Sequence, residues 1–247
     1  MKVVYKNNDL LVIEKPSGIV VNRSKTTIGL KTIQDQIINS NLIEFGSGEY
    51  EERSGLIHRL DKDTSGLLMI ARNQKAYEYF KRKLKNRQIK KHYLALVWGE
   101  LPKKGIINFP LSKMFSSRGM PIRIDSKGKD ALTLYKLKSL YKFGNNYISL
   151  VDIEIKTGRT HQIRAHMYYL GFPLFGDKIY TRNKKDEKRI FRYPRLFLHA
   201  YKLVVPMPKS KKSEFRHNKL IKLDLPDELK LTLKKIKEYG YQEIKKK

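Results

Sequence analysis

The alternation of apolar and polar residues predicts two β-hairpins at different places in the chain. Residues 3–5 and 10–13 are short apolar runs around Asn7-Asn8-Asp9, a sequence typical of a tight turn. Residues 131–140 and 147–156 alternate with a period of two around a Gly-Asn-Asn turn, which predicts a longer antiparallel hairpin. Residues 67–71 and 90–99 are apolar on both faces, so we expect each of them to be a buried strand.

Between and after these strands lie segments whose apolar residues recur at helical spacing. They are residues 27–43, 73–87 and 161–170 and the residues after Pro226. We expect the first helix to bury Ile28, Ile33, Ile37 and Ile38. Thr160 is the expected cap of the third helix, and the tail after Gly240 is expected to fray.

These elements together predict an α+β fold: a mixed, largely antiparallel sheet with flanking helices and a central basic cleft. A chain of 247 residues with 40% hydrophobic content is long enough for one sizeable core. No linker long enough to separate domains is present, so we expect a single domain spanning residues 1–247.

The charge of the chain indicates a polyanionic partner. Lys and Arg number 53 against 24 Asp and Glu, a formal charge of +29. Nucleic acid is the first candidate and an acidic membrane surface the second, although no apolar run approaches the ~18 residues that span a bilayer. The absence of cysteine excludes disulfides and Cys-ligated zinc, and the amino terminus has no signal-peptide pattern, so we expect a cytoplasmic protein.

Two segments concentrate this charge. The helix predicted over residues 73–87 carries many cations and one acidic residue, Glu78, which indicates either a solvated face or a phosphate-binding one. Residues 111–123 are predicted to form a loop. Its cations alternate with apolar groups, as suits single-stranded RNA, or the loop is merely mobile; these residues are Lys113, Phe115, Arg118, Met120 and Arg123.

The strongest candidate for chemistry is the stretch 54–71. Charged residues and a Thr-Ser-Gly turn lead directly into the apolar strand, which provides a rigid mount for a side chain. Asp61 is placed at the mouth of the core beside two cations and could be oriented toward an anionic substrate. The alternative is a solvated polar turn before a strand.

Four segments of the chain carry a resemblance to a known family. They are His-Arg-Leu-Asp at 58–61 with Asp-Thr-Ser-Gly-Leu at 63–67, Lys-His-Tyr-Leu-Ala-Leu-Val-Trp-Gly at 91–99, Gly-Arg-Thr-His-Gln-Ile-Arg-Ala-His-Met at 158–167, and Leu-His-Ala at 198–200. In this order they resemble the signatures of the RluA-type pseudouridine synthases. The resemblance implies the catalytic fold of that family. Because only a few residues precede the first hairpin, we expect no amino-terminal S4-type RNA-binding domain of the kind that many members carry.

The resemblance also implies roles for four residues. Asp61 matches the catalytic aspartate, and Arg164 matches the arginine that family members place against it. Tyr93 matches the tyrosine that stacks on the uracil and serves as base for the C5 proton, and Arg59 matches a residue that fills the gap left by the flipped nucleotide. From the residues alone, Arg164 could instead pair with any carboxylate, Tyr93 could be a core residue and Arg59 could bind a phosphate.

The expected activity is isomerisation of uridine to pseudouridine in structured RNA by base flipping. Large-subunit ribosomal RNA is the first expected substrate and transfer RNA the second. Whether Asp61 attacks the sugar, adds to the base or abstracts a ribose proton stays open. The rival hypothesis is a non-catalytic RNA-binding protein or ribosome-assembly factor.

We expect neither a metal nor a cofactor, and we expect a monomer. His161 and His166 are five residues apart rather than four, so a helix would not point both rings at one ion. The sequence has no glycine loop of the kind that binds ATP or NAD.

Overall fold

The computed structural model describes residues 1–24, 27–44, 46–114, 120–181, 195–208 and 217–244. These residues form an α+β fold whose β-structure is largely antiparallel, as the sequence predicted. The chain divides into two compact units: Met1–Lys91 with Ala200–Leu223, and His92–His199 with Asp224–Lys247.

The helices and strands are numbered in chain order. The strands are β1 (Lys2–Lys6), β2 (Leu10–Lys15), β3 (Ser65–Ala71), β4 (Lys90–Trp98), β5 (Lys104–Asn108), β6 (Leu111–Lys113), β7 (Ile122–Ile124), β8 (Leu132–Phe143), β9 (Asn146–Ile155), β10 (Leu198–Pro206), β11 (Asn218–Lys222) and β12 (Gln242–Ile244). The helices are α1 (Ile33–Ile38), α2 (Gly48–Glu52), α3 (Gln74–Lys85), α4 (Gln162–Tyr169) and α5 (Asp227–Glu238).

The first unit begins with the predicted hairpin of β1 and β2. The side-chain oxygen of Asn7 accepts hydrogen bonds from the backbone N–H groups of Asp9 (3.0 Å) and Leu10 (2.7 Å), which closes the turn. β2 continues as the antiparallel partner of β3, with Lys15 opposite Gly66. Every residue of β3 is buried, so this strand is a fixed support for the polar loop that precedes it.

Helix α3 covers one face of β3, as its apolar spacing predicted. The Asn73 side chain caps the helix by accepting a hydrogen bond from the N–H of Ala76 at 2.9 Å. The buried side of the helix packs into a cluster with the odd-numbered residues of β3; the cluster includes Ala76, Tyr77, Phe80, Leu67, Met69 and Ala71. The opposite side of α3 carries its charges.

The helix predicted over residues 27–43 is shorter in the structure, where α1 spans only Ile33–Ile38. Thr32 and Asp35 form a capping box, which fixes the start of α1 at Ile33. Residues before this cap lie outside the helix, and Ile28 is 84% exposed. Ile38, the last residue of α1, is also exposed, so of the four isoleucines only Ile33 and Ile37 are buried.

The second unit contains the long hairpin that the period of two predicted. β8 and β9 pair from Thr133 opposite Ile155 to Phe143 opposite Asn146. The closing helix α5 packs its buried Leu229 and Ile236 into the cluster that holds Trp98 of β4. The expectation of a frayed tail is wrong, because residues 242–244 form β12 and pair with β8.

Two further predictions for the second unit need correction. The loop expected over residues 111–123 contains a two-stranded ribbon of β6 and β7, while Phe115 and Arg118 lie outside the described residues. The residue before α4 is His161 in the left-handed conformation (φ 50°), and Thr160 does not cap the helix. The cause is Gln162, whose side-chain oxygen accepts the N–H of Arg159 at 3.0 Å and thereby fixes the approach to the helix.

Candidate active site

The loop that carries Asp61 is tied to β3 at its first residue. The Nε2 atom of the buried His58 accepts a hydrogen bond from the backbone N–H of Met69 at 3.1 Å. Burial, reinforced by the positive charge of Lys91, lowers the pKa of His58 to about 3. The ring is therefore neutral at pH 7 and retains the lone pair that this hydrogen bond needs.

Lys15 holds the other side of the loop. Its side chain is fully buried, and its Nζ donates to the carbonyl oxygens of Pro16 (2.8 Å), Ile19 (2.8 Å) and Lys62 (2.9 Å). An ammonium group has three donors, and all three are used. Since Lys62 follows Asp61 directly, the ammonium of Lys15 fixes the backbone next to the candidate catalytic residue.

Two more hydrogen bonds join the same segments. The N–H of Gly18 donates to the carbonyl of Lys62 at 2.8 Å, and the hydroxyl of Ser17 donates to the carbonyl of Asp63 at 2.7 Å. From the sequence, Lys-Pro-Ser-Gly at 15–18 indicates only the end of a strand. Their function as a clamp was missed, although a lysine directly before a Pro-Ser-Gly turn was the available signal.

Asp61 itself lies in a closed turn with an available carboxylate. The backbone N–H of Thr64 donates to the carbonyl of Asp61 at 3.1 Å. The side chain is partly exposed, and within the described parts of the chain it accepts no hydrogen bond and forms no ion pair. Arg59 is exposed between the buried His58 and Leu60, so its guanidinium is directed away from the core.

A steric constraint explains why the Thr-Ser-Gly turn ends in glycine. Gly66 has φ +123°, and a Cβ at this position would lie 2.3 Å from the carbonyl oxygen of Ala200. Only glycine therefore permits β3 to begin this close to Ala200, which belongs to the Leu-His-Ala segment noted in the sequence. This contact explains Gly66, one residue of its family-like segment, by packing rather than by chemistry.

Tyr93 lies in β4 and belongs to the second unit. Its side chain is 5% exposed, and the alternation of the strand places it on the same face as Ala95 and Val97, both fully buried. The neighbouring His92 points to the other face, where its Nδ1 lies 3.1 Å from a side-chain oxygen of Asp152.

Arg164 projects from α4 into a buried ion pair. Its Nε and one terminal nitrogen donate to the two carboxylate oxygens of Asp177 at 2.7 and 2.9 Å, a bidentate geometry. The guanidinium also lies 5.3 Å from the ring centre of Tyr180. The family resemblance placed Arg164 against Asp61, the residues alone left its partner open, and neither assigned a function to Asp177.

The four predicted site residues thus fall into two groups. Arg59 and Asp61 share one loop of the first unit, whereas Tyr93 and Arg164 belong to the second. The predicted pairing of Arg164 with Asp61 stays a prediction. Among the described residues no cluster of three or more His, Asp or Glu side chains could hold a metal ion. In the same part of the chain, no helix is long and apolar enough to cross a membrane.

Comparison with known proteins identifies related chains. A family model described as RNA pseudouridylate synthase matches residues 9–169. The ribosomal large subunit pseudouridine synthase D of Buchnera aphidicola (subspecies Acyrthosiphon pisum) is 36% identical over 216 residues, covering 84% of this chain and 66% of the relative. The protein of the same name from Borreliella burgdorferi is 34% identical over 219 residues, covering 86% and 63%. The chain therefore spans less than two thirds of the length of these curated relatives.

Solved structures agree on the fold. Human RNA Pseudouridylate Synthase Domain Containing 1 matches with a TM-score of 0.62 at 28% identity, covering 94% of both chains. Human RNA Pseudouridylate Synthase Domain Containing 4 matches with a TM-score of 0.70 at 20% identity, covering 96% of this chain and 93% of the other. At 20% identity, the second match is evidence of a shared fold and of nothing more.

Proposed function

This chain belongs to the RNA pseudouridylate synthase family, and we propose that it isomerises uridine to pseudouridine in large-subunit ribosomal RNA. The reaction breaks the bond between C1′ and N1 of the uracil and forms a bond between C1′ and C5. The C5 proton is released, N1 regains a proton, and no redox carrier is needed. The names of the relatives specify the ribosomal large subunit, which makes ribosomal RNA the first substrate to test.

The observation that carries the proposal is the state of the Asp61 carboxylate. A carboxylate used for packing would be bound by neighbouring donors, but that of Asp61 has no such partner among the described residues. Its backbone is nevertheless fixed through Lys62, which Lys15 and Gly18 both bind. An available carboxylate on a rigid loop is the arrangement that covalent or acid–base catalysis requires.

The remaining assignments complete the proposed mechanism. Arg59 is exposed beside Asp61, where it can take the place of the uridine that leaves the stack. Tyr93 offers a ring for stacking on the uracil and a hydroxyl for the C5 proton. Arg164 binds substrate with its guanidinium plane fixed by Asp177. Asp61 is the catalytic residue, and its first step is attack on the sugar, addition to the base or abstraction of a ribose proton.

The proposal extends to the protein as a whole. We infer a single catalytic domain that acts as a cytoplasmic monomer, with transfer RNA as the alternative substrate. The formal charge of +29 supports an RNA partner, because condensed counterions are released when phosphates are neutralised.

The test is release of tritium from RNA labelled at C5 of uridine, measured in single turnover with the full chain. Large-subunit ribosomal RNA and total transfer RNA are assayed in parallel, and the modified position is mapped afterwards. We expect release from ribosomal RNA with the wild type and none with Asp61→Asn. Tight RNA binding without release from either RNA would overturn the catalytic proposal in favour of a non-catalytic RNA-binding protein.

A further inference from the structure

The end of α3 and the turn after it form the most one-sided charge distribution in the first unit. Between Glu78 and Glu100 the sequence contains no acidic residue. Five cations of this segment define the α3 basic surface: Arg82, Lys83, Lys85, Arg87 and Lys90. All except Lys83 are exposed.

The cations of this surface are not neutralised by the protein. In the described part of the chain none of the five forms an ion pair, whereas Lys81, one residue earlier, is paired with Glu49. Like charges at this spacing on a helix repel by about 0.2–0.5 kcal/mol per pair. Their mutual repulsion is thus a cost to the isolated protein that no acidic partner in the described part of the chain offsets.

Helix α5 shows that this is not the general condition of basic helices in this chain. Three of its cations have acidic partners: Lys230 lies 3.2 Å from Asp227, Lys234 lies 3.5 Å from Glu238, and Lys237 lies 3.2 Å from Glu243. Both helices span twelve residues and both have cations in the last turn. Stabilisation of the helix dipole therefore explains the last-turn cations of both helices, but not the two cations that follow α3.

Arg87 is the clearest of those two. Its backbone has φ 57°, in the left-handed region, where a non-glycine residue costs about 1–2 kcal/mol. Glycine or asparagine is the usual residue one position beyond a helix end. The guanidinium of Arg87 is held in an exposed position at an energetic cost to the backbone, as expected of a residue kept for contact with a partner.

Tyr79 indicates which part of a nucleic acid would be contacted. Its hydroxyl donates to the carbonyl of Met207 at 3.0 Å, which fixes the ring. The guanidinium of Arg82 and the ammonium of Lys83 lie 5.9 and 5.3 Å from the centre of that ring, so cations already occupy its faces. The surface thus offers charge rather than a stacking platform, which suits phosphates rather than unstacked bases.

We propose that the α3 basic surface binds the phosphate backbone of a double-stranded RNA segment distinct from the segment that contains the target uridine. This inference rests on the proposed function, since it assigns a second contact to the same RNA substrate. A double-stranded segment is recognised through its backbone and shape, which needs no base-specific side chain. The surface would raise affinity for large structured RNA without taking part in the chemistry.

The test compares two triple variants that change the net charge equally. The first is Arg82→Glu with Lys85→Glu and Arg87→Glu, and the control on α5 is Lys230→Glu with Lys234→Glu and Lys237→Glu. Each is assayed on large-subunit ribosomal RNA and on a short hairpin containing the mapped target uridine. We expect the α3 variant to raise KM on the long RNA at least tenfold with kcat unchanged, and to leave the hairpin reaction within twofold of the wild type.

Filter binding at several salt concentrations gives a second readout. A lost contact to a duplex phosphate lowers the log-log salt slope by about 0.9, so the α3 variant should lose about two to three units of slope and the control less than one. Thermal melting checks that each variant is folded. If the Glu variant unfolds, the milder Arg82→Gln, Lys85→Gln and Arg87→Gln set replaces it. We then expect smaller changes, in the same direction, in KM on the long RNA and in the salt slope.

Each outcome decides the inference. Equal effects of the α3 and α5 variants would show that only net charge matters, and unchanged RNA binding would point to an acidic protein partner instead; both overturn it. An equal loss on the hairpin would place the surface at the target uridine and overturn it too. If the wild type binds ribosomal RNA without isomerising it, the proposed function fails, but filter binding still decides whether the α3 basic surface contacts RNA.

Discussion

Two aspartates of this chain have opposite surroundings. Asp177 is 2% exposed, accepts two hydrogen bonds from Arg164 and accepts two more from the backbone N–H groups of Ile179 (2.9 Å) and Tyr180 (3.0 Å). Asp61 is partly exposed, and its carboxylate has no partner within the described residues. The sequence sets Asp61 apart by its family-like segment, but it does not show which donors either carboxylate meets.

The difference separates a structural carboxylate from one that is available for a reaction. Asp177 accepts four hydrogen bonds, three of them at Oδ1, and a buried carboxylate engaged in this way has little capacity left for a substrate. In the Asp61 loop the donors are directed at the backbone instead, since Lys15, Gly18 and Ser17 all bind carbonyl oxygens. The loop is therefore rigid while the carboxylate of Asp61 stays available.

The substitution with the largest expected effect on activity is Asp61→Asn. The change keeps the shape of the side chain and removes only its ionisable oxygen, so we expect pseudouridine formation to be abolished. Because the native carboxylate has no partner to lose, the melting temperature and RNA affinity should match the wild type. Single-turnover tritium release, RNA binding and thermal melting on the same preparation measure all three, and retained turnover would contradict the assignment.

Asp177→Asn is the matched change at the other aspartate, with the opposite expectation. It leaves the buried guanidinium of Arg164 without its counter-charge, a loss of about 3–5 kcal/mol in the free energy of unfolding. Urea denaturation measures the loss. An Asp177→Asn protein as stable as the wild type would show that the ion pair contributes little to the free energy of unfolding. Asp177 would then not be a structural carboxylate.

Tyr93 tests whether the second unit contributes chemistry or only packing. Tyr93→Phe keeps the ring and loses the hydroxyl, so we expect near-normal RNA binding and a rate lower by about a hundredfold, the usual scale for a lost general acid or base. Tyr93→Ala should also weaken binding, by the roughly 1–3 kcal/mol that a stacking contact supplies. Wild-type rates for both variants would identify Tyr93 as an ordinary core residue.

Periodicity predicted most of the fold because it reports which face of an element is buried. It placed the β8 and β9 hairpin and the buried face of α3, where apolar spacing alone decides the structure. It failed where a local hydrogen bond sets the boundary: Thr32 and Asp35 begin α1 after the apolar Ile28, and α4 has no side-chain cap, its approach being held by the Gln162 side chain.

For the candidate site, the residue types were readable but their partners were not. Asp61 could be proposed from its motif, because catalysis limits the residue types that serve. The pairing of Arg164 with Asp177 depends on a contact across thirteen positions of chain, and the three carbonyls that Lys15 binds carry no side-chain signature. Only the folded backbone reveals such partners.

Lys15→Met tests the loop support without touching the available carboxylate. Methionine has a similar length but no donor, so three carbonyl oxygens lose their shared partner. We expect the free energy of unfolding to fall by about 2 kcal/mol, the scale for leaving buried polar groups unpaired. Turnover at a temperature where the variant is fully folded should fall less than tenfold, since Gly18 and Ser17 still bind the loop. A loss of activity as complete as that of Asp61→Asn would mean that loop support and chemistry cannot be separated.

The smallest expected effect is a pH dependence that belongs to the same loop. The pKa of His58 is about 3 in the folded protein, against about 6.5 in an unfolded chain. Below pH 6.5 the unfolded state binds a proton that the folded state does not, so acid should weaken folding by up to about 1.4 kcal/mol per pH unit until pH 3. Between pH 7.5 and pH 5 this amounts to about 2 kcal/mol.

His58→Gln isolates this contribution, because a glutamine oxygen can still accept the N–H of Met69 but does not titrate. Urea denaturation of both proteins at the two pH values gives the difference. The wild type should lose about 2 kcal/mol more than the variant on acidification. The other buried histidine with a lowered pKa, His166, is present in both proteins and cancels. Parallel pH profiles would show that His58 is protonated in the folded state, and that its hydrogen bond from Met69 does not hold the start of the Asp61 loop.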